Sequence, residues 1–171
     1  MPSGCEIQMA QSIRAVAMRS DKVTLSAVDR MLAEQACRDL VVQAAAFTDA
    51  QSHEDFAALF TEDGVLIRPG PEHIQGQAAI IESYRSRPAG RMTRHLISNI
   101  LVKLESDTAA HSTSCVLLWS GLASDAAGPF GRPAQARQVV GEFDDILSLT
   151  PQGWRIRRRE ARFLLFSEKS A

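Results

Sequence analysis

Two residues of this chain have the type and setting to do chemistry. His95 lies in the run Thr93-Arg94-His95-Leu96-Ile97-Ser98-Asn99-Ile100-Leu101-Val102, near the start of an apolar strand pattern, and Asp49 closes an almost wholly apolar helical run earlier in the chain. An imidazole changes charge near neutral pH, so a pocket histidine can give or take a proton, or orient a water, at a substrate carbonyl or hydroxyl. A carboxylate facing a dry cavity is a frequent acid or base, because desolvation disfavours its charged form. Asp49 and His95 are therefore the candidate catalytic pair. Two plainer readings stay open: Asp49 as a helix terminator or a cap for the next helix, and His95 as a packing residue of the core or sheet edge. Phe60, Asn99, His111 and Trp119 are the candidate substrate contacts, with His111 read either as a second imidazole or as an exposed residue beside the Asp107 turn, and Trp119 either as an apolar wall or as ordinary core. His53 and His73 occupy loop-like settings and receive no role.

The elements that must position these residues follow from hydrophobic spacing. Leu25, Val28, Leu32, Ala36, Leu40, Ala44 and Phe47 keep a helical repeat, which predicts a long helix with residues 40–47 enclosed and Asp49 in line with Val42, Ala45 and Ala46. Ser52 opens a short helix carrying Phe56, Leu59 and Phe60, Asp63-Gly64 marks a turn into a strand at Val65-Leu66-Ile67, and Gly76 precedes a further short helix through Tyr84. From Met92 the pattern changes to strands at 92–104, 109–122, 136–149 and 154–166 with short links, which should pair antiparallel. Helices first and a meandering sheet after them predict an α+β domain whose helices cover one face of a curved sheet. Residues 1–22 keep no apolar period and read as a flexible arm, leaving 23–168 as a single domain. Alternation puts His95, Ile97, Asn99 and Leu101 on one face of their strand and Leu96, Ser98, Ile100, Val102 and Leu104 on the other; both faces are apolar, so neither is marked as the cavity side.

Composition removes several function classes. The chain has 171 residues, enough for one domain and one core. Its 19 Lys+Arg against 20 Asp+Glu leave a net charge of -1, with no global pull toward nucleic acid or an anionic membrane. The basic run Arg155-Ile156-Arg157-Arg158-Arg159-Glu160-Ala161-Arg162 splits its arginines between two strand faces, which reads as an outer sheet face or a subunit interface with ion pairs to acids such as Glu142, Asp144 and Asp145. Cys5, Cys37 and Cys115 form neither a disulfide framework nor a metal-ligand spacing. Reduced thiols, no metal or other cofactor and a cytoplasmic setting are expected, with no membrane span and no signal-peptide core before Arg14 and Arg19. The expected partner is a small apolar organic ligand. Because the sheet carries apolar residues on both faces, a homodimer or homotrimer is expected as well.

Taken in order, Phe60-Thr61-Glu62-Asp63-Gly64-Val65, the Gly76 helix, Thr93-Arg94-His95 with Asn99, and Gly153-Trp154-Arg155-Ile156 give a chain that resembles the SnoaL-like branch of the NTF2-like superfamily over residues 25–166. That resemblance implies a cone-shaped (cystatin-like) domain in which a long N-terminal helix and a bent sheet enclose an apolar cavity. It further implies an acidic residue at the end of the long helix, matched by Asp49, and a pocket histidine of the dehydratase pattern, matched by His95. Where that pattern has a tyrosine before the aspartate, this chain has Thr48, and its one tyrosine is Tyr84. Superfamily members include scytalone dehydratase, ketosteroid isomerase, polyketide cyclases and the β subunits of ring-hydroxylating dioxygenases. Two functions follow as expectations: a cofactor-independent lyase, isomerase or cyclase acting on a cyclic or polyketide-like molecule, or a non-catalytic ligand-binding or assembly subunit.

Overall fold

A computed structural model of the chain describes residues 25–168 apart from Pro71 and Ala89; the arm expected at residues 1–22 lies outside them. Helix α1 (Ala27–Ala50) is opened by Ser26, whose hydroxyl accepts the Asp29 N–H, and is closed by Gln51 in the left-handed conformation. The expected apolar line holds from Ala36 to Phe47, with Cys37, Leu40, Val41, Ala44 and Ala45 buried. It fails at both ends of the expectation. Val28 and Leu32 face solvent in the first turns, and Val42 and Ala46 are exposed, so residues 40–47 are covered on one side only.

Helix α2 (His53–Ala58) and helix α3 (Gln77–Arg85) are the two short helices. Strand β1 (Phe60–Ile67) begins five residues before the expected Val65, and Gly64 is no turn between elements but a buried position within the strand. There a register shift brings the backbone so close that an added Cβ would meet Phe60 Cβ and Thr61 O at 2.9 Å. A three-residue strand, β2 (His73–Gln75), pairs with β1 where only a loop was expected. Strands β3 (Arg91–Leu104), β4 (Ala109–Leu122), β5 (Gln138–Thr150) and β6 (Gly153–Ser167) follow the sequence reading to within two residues at each end.

The six strands form one sheet in the order β2-β1-β6-β5-β4-β3, antiparallel except where β1 runs parallel to β6. Helix α1 packs chiefly on the edge strand β3. The core lies between the helices and the inner sheet face and includes Phe56, Phe60, Leu66, Ile80, Leu147 and Ile156. Among the described residues no helix is long and apolar enough to cross a membrane.

Two bulges decide what this inner face presents. In β3 the register shifts between Ser98 and Leu101, with Asn99 at φ 51°, a conformation that asparagine tolerates better than most residues. Thr93, His95 and Ile97 face inward before it, and Ile100, Val102 and Leu104 face inward after it. In β6 the register shifts at Arg157, so Trp154 and Ile156 are followed on the inside by Arg159. Each bulge exchanges the two strand faces. This is why residues 93–104 look apolar on both sides and why Arg159 leaves the outer face assigned to it by alternation.

Candidate active site

Asp49 stands in the last turn of α1, where the carbonyl end of the helix disfavours a carboxylate by about 0.3–1 kcal/mol and no basic side chain is present to offset it. Its partners come from β3 instead. Thr93 Oγ1 donates to Asp49 Oδ1 at 2.8 Å, the His95 backbone N–H donates to Oδ2 at 2.8 Å, and His95 Nδ1 meets Oδ1 at 2.6 Å. Burial alone would raise the Asp49 carboxyl, but the His95 and Thr93 donors outweigh it and hold the group below the usual aspartate value. Asp49 is thus an ionised acceptor, and an ionised carboxylate has no proton to give, so the proton between the two groups resides on His95 Nδ1. Nε2 is left as the ring nitrogen available to a bound molecule.

His95 lines a cavity of about 270 Å³, while Asp49 sits behind it and does not form the wall. The room beside the imidazole comes from small residues of α1, Ala44, Ala45 and Thr48, facing Leu118, Phe143 and Phe163 of the sheet. Thr48 turns its hydroxyl back onto the Ala44 carbonyl at 2.8 Å, which leaves its methyl side to the cavity. Of the line expected to flank Asp49, only Ala45 contributes, because α1 turns Val42 and Ala46 outward.

The sequence reading placed Asp49 and His95 together, and the structure brings them into direct contact. The other four candidates lie elsewhere. Phe60 is buried one layer deeper, edge-on to Phe56 at 5.3 Å between ring centroids, and it is Phe56 that reaches the cavity. Asn99 is exposed at the β3 bulge with its amide 3.9 Å from Cys115 Sγ. His111 and Trp119 belong to the outer face of β4, opposite Ala110, Ser112, Ser114, Val116 and Leu118. There His111 pairs with Asp144 and Trp119 lines a shallow groove with Leu96, Leu117 and Pro133.

Four arginines, which sequence reasoning missed, form much of the remaining cavity wall, beside Leu66, Pro69, Glu72 and Ala161. Arg159 makes a two-pronged ion pair with Asp145, Nε to Oδ1 and Nη2 to Oδ2 both at 2.7 Å, with both side chains almost fully buried. Burial opposes its charge, yet the Asp145 carboxylate outweighs burial and raises the guanidinium above its ordinary value. Arg68, Arg87 and Arg91 line the same space around Tyr84. Arg91 was within reach of the sequence, since period-two alternation puts it on the face of Thr93 and His95; Arg159 was not, because its bulge carries no sequence mark. Among the described residues, no three His, Cys, Asp or Glu side chains converge as a metal-ligand set. Cys37 is an inert buried thiol, its pKa pushed up to about 12 by burial.

Residues 29–160 match the SnoaL-like domain family, and the chain belongs to it. No curated protein matches it in sequence. Several solved structures share its fold. One is a protein provisionally assigned as a scytalone dehydratase from Novosphingobium aromaticivorans, at 21% identity and a TM-score of 0.71 over 85% of this chain and 93% of that one. Another is the hexachlorocyclohexane dehydrochlorinase LinA-type3 from Novosphingobium barchaimii, at 15% identity and a TM-score of 0.72 over 85% and 96%. A third is an NTF2-like protein with a cystatin-like fold from Novosphingobium aromaticivorans, at 24% identity and a TM-score of 0.65 over 85% and 92%.

Proposed function

We propose that this protein is a small-molecule enzyme of the lyase, isomerase or cyclase type, in which His95 moves a carbon-bound proton next to a carbonyl or assists loss of water. Its substrate is a largely apolar cyclic or polyketide-like compound. Asp49 acts through His95, as a positioning residue: it fixes the tautomer, aims the ring and stabilises the imidazolium formed when Nε2 takes a proton. The observation that carries this reading is an imidazole at the wall of an open cavity, hydrogen-bonded through Nδ1 to a carboxylate that the Thr93 hydroxyl and the His95 backbone N–H also hold in place. A general base so placed contributes roughly 10²–10⁴ in rate. Two structural neighbours are named for eliminations, a dehydratase and a dehydrochlorinase, which is in keeping with such a base.

The non-catalytic alternative, an assembly subunit, needs no ordered imidazole and would fill its cavity with its own side chains; it should also copurify with a larger oxygenase chain. Self-association belongs to the proposal too, through the outer face where Leu96, Trp119 and Ile146 are exposed, and a strict monomer in sedimentation would count against that part. The enzyme reading is tested with 2-tetralone, a bicyclic ketone with acidic carbon-bound protons, incubated with the protein in deuterium oxide. Exchange beside the carbonyl should be accelerated by the wild type and fall at least about a hundredfold in His95→Ala. Absence of acceleration, or equal exchange in the variant, rules the mechanism out.

A further inference from the structure

The cavity holds more positive charge than its own carboxylates answer. Of its four guanidinium groups, Arg159 is matched by Asp145, and Arg68 has Glu72 at 3.7 Å together with hydrogen bonds to Ser83 O and Oγ. Arg87 and Arg91 have no carboxylate within 4 Å among the described residues. Asp49 does not answer them, since its oxygens are spent on His95 and Thr93. An arginine cannot shed its charge as a buried lysine can, so an unmatched pair of guanidiniums at a cavity wall favours an anion from outside.

Arg87 has a fixed seat: it lies over the Tyr84 ring at 3.9 Å from its centroid, and Arg68 lies against the same ring at 4.7 Å, which limits where these two guanidiniums can go. Burial, and after it the like charges of Arg68 and Arg91, pull the Arg87 guanidinium below its ordinary value, with Tyr84 opposing in part. Arg87 and Arg91 also line a polar annex of about 160 Å³ that shares Thr48, Tyr84 and Thr93 with the main cavity. In that annex the buried Nδ1 of His53 has no hydrogen-bond partner among the described residues. Two unmatched cations and one unsatisfied nitrogen thus line one small space.

We propose that the site takes a substrate bearing a carboxylate, with the anion held in the annex by Arg87 and Arg91 and an apolar ring body in the main cavity against Leu118, Phe143 and Phe163. A planar carboxylate suits the guanidinium fork, which can offer it two parallel hydrogen bonds. The strand sets the scale: Arg91, Thr93 and His95 share one face of β3, and about 3.3 Å per residue separates the Arg91 and His95 Cα atoms by about 13 Å. With both side chains reaching inward, the anionic handle lies about one bicyclic ring system from the carbon that faces His95. This deepens the acid/base reading and relies on it for the part played by His95; retention of the anion does not need that part.

The test uses 2-naphthoate and its uncharged counterpart 2-naphthamide, titrated calorimetrically into the full chain at low salt. The wild type should bind naphthoate at least about tenfold more tightly than naphthamide. Arg87→Gln and Arg91→Gln should each weaken naphthoate about tenfold and leave naphthamide unchanged, which also reports that the cavity is still formed. Arg87→Lys should retain most of the preference, and His95→Ala should bind naphthoate within about threefold of the wild type. Equal binding of the two probes, binding of neither, or arginine variants that hold naphthoate as well as the wild type would each overturn the anion site. If naphthoate behaves as expected while His95→Ala still exchanges 2-tetralone at the wild-type rate, the acid/base reading falls and the anion site stands.

Discussion

Among the described residues two aspartate–histidine pairs form, and they are held very differently. Asp49 and His95 approach to 2.6 Å with side chains 15% and 13% exposed, and Asp49 collects two further donors, the His95 backbone and Thr93. Asp144 and His111 approach to 3.2 Å with side chains 27% and 38% exposed, on the outer sheet face, where Arg162 lies 3.9 Å from the same carboxylate. The first pair fixes one ring nitrogen and presents the other to a cavity. The second is a half-exposed contact screened by salt, of the kind worth about 0–1 kcal/mol. The residue types are the same, so the difference lies in how many donors converge and on which side of the sheet they do so.

That contrast can be broken by substitution. The largest expected effect is His95→Ala, which should cost 2-tetralone exchange about 10³–10⁴, near the upper end for loss of a positioned base, while His111→Ala should stay within about threefold in the same assay. Asp49→Asn keeps the shape but not the charge that selects the tautomer, and should cost on the order of 10²–10³; Asp144→Asn should have no measurable effect on exchange. Thr93→Val removes one of three donors to Asp49 and should cost about tenfold, in line with a hydrogen bond to a charged group.

The smallest effect is on stability against pH. Because the Asp49 pKa is lowered by folding, its contribution is fully present above the ordinary aspartate value of about 3.9 and is lost as pH falls through the lower folded value. The gap in unfolding free energy between wild type and Asp49→Asn should therefore close as the pH falls below about 4. A gap that stays fully open far below that range would contradict the hydrogen-bonded carboxylate described here.

Why one pair was legible and its surroundings were not comes down to bulges. The four long strands, the long helix and the meeting of Asp49 with His95 follow from local spacing: a carboxylate ending an apolar helix and an imidazole opening an apolar strand both point toward the core. Period-two reading carries Thr93 to Ile97 correctly inward, then reverses at Asn99, where one extra residue sends Ile100, Val102 and Leu104 to the inside. The same reversal at Arg157 takes Arg159 into the interior, from a run that alternation treated as outer surface. Asn99 offered a weak signal, as a residue that accepts positive φ within a strand. Arg87 offered none, because its position follows from how α3 and Tyr84 pack and not from any pattern along the chain. Alternation correctly puts His111 and Trp119 on one face, but nothing in β4 marks that face as the outer one by hydrophobicity alone.

The central claim is that Asp49 holds His95 with its proton on Nδ1 and leaves Nε2 bare toward the cavity. Nitrogen-15 correlation spectra of histidine-labelled protein, recorded where the rings are neutral, read this directly and require no substrate. The structure predicts a single Nδ1–H tautomer for His95 that is lost in Asp49→Asn, beside an Nε2–H tautomer for His111, whose Nε2 meets Asp144. An Nε2–H tautomer at His95, or a spectrum unchanged by Asp49→Asn, would contradict it.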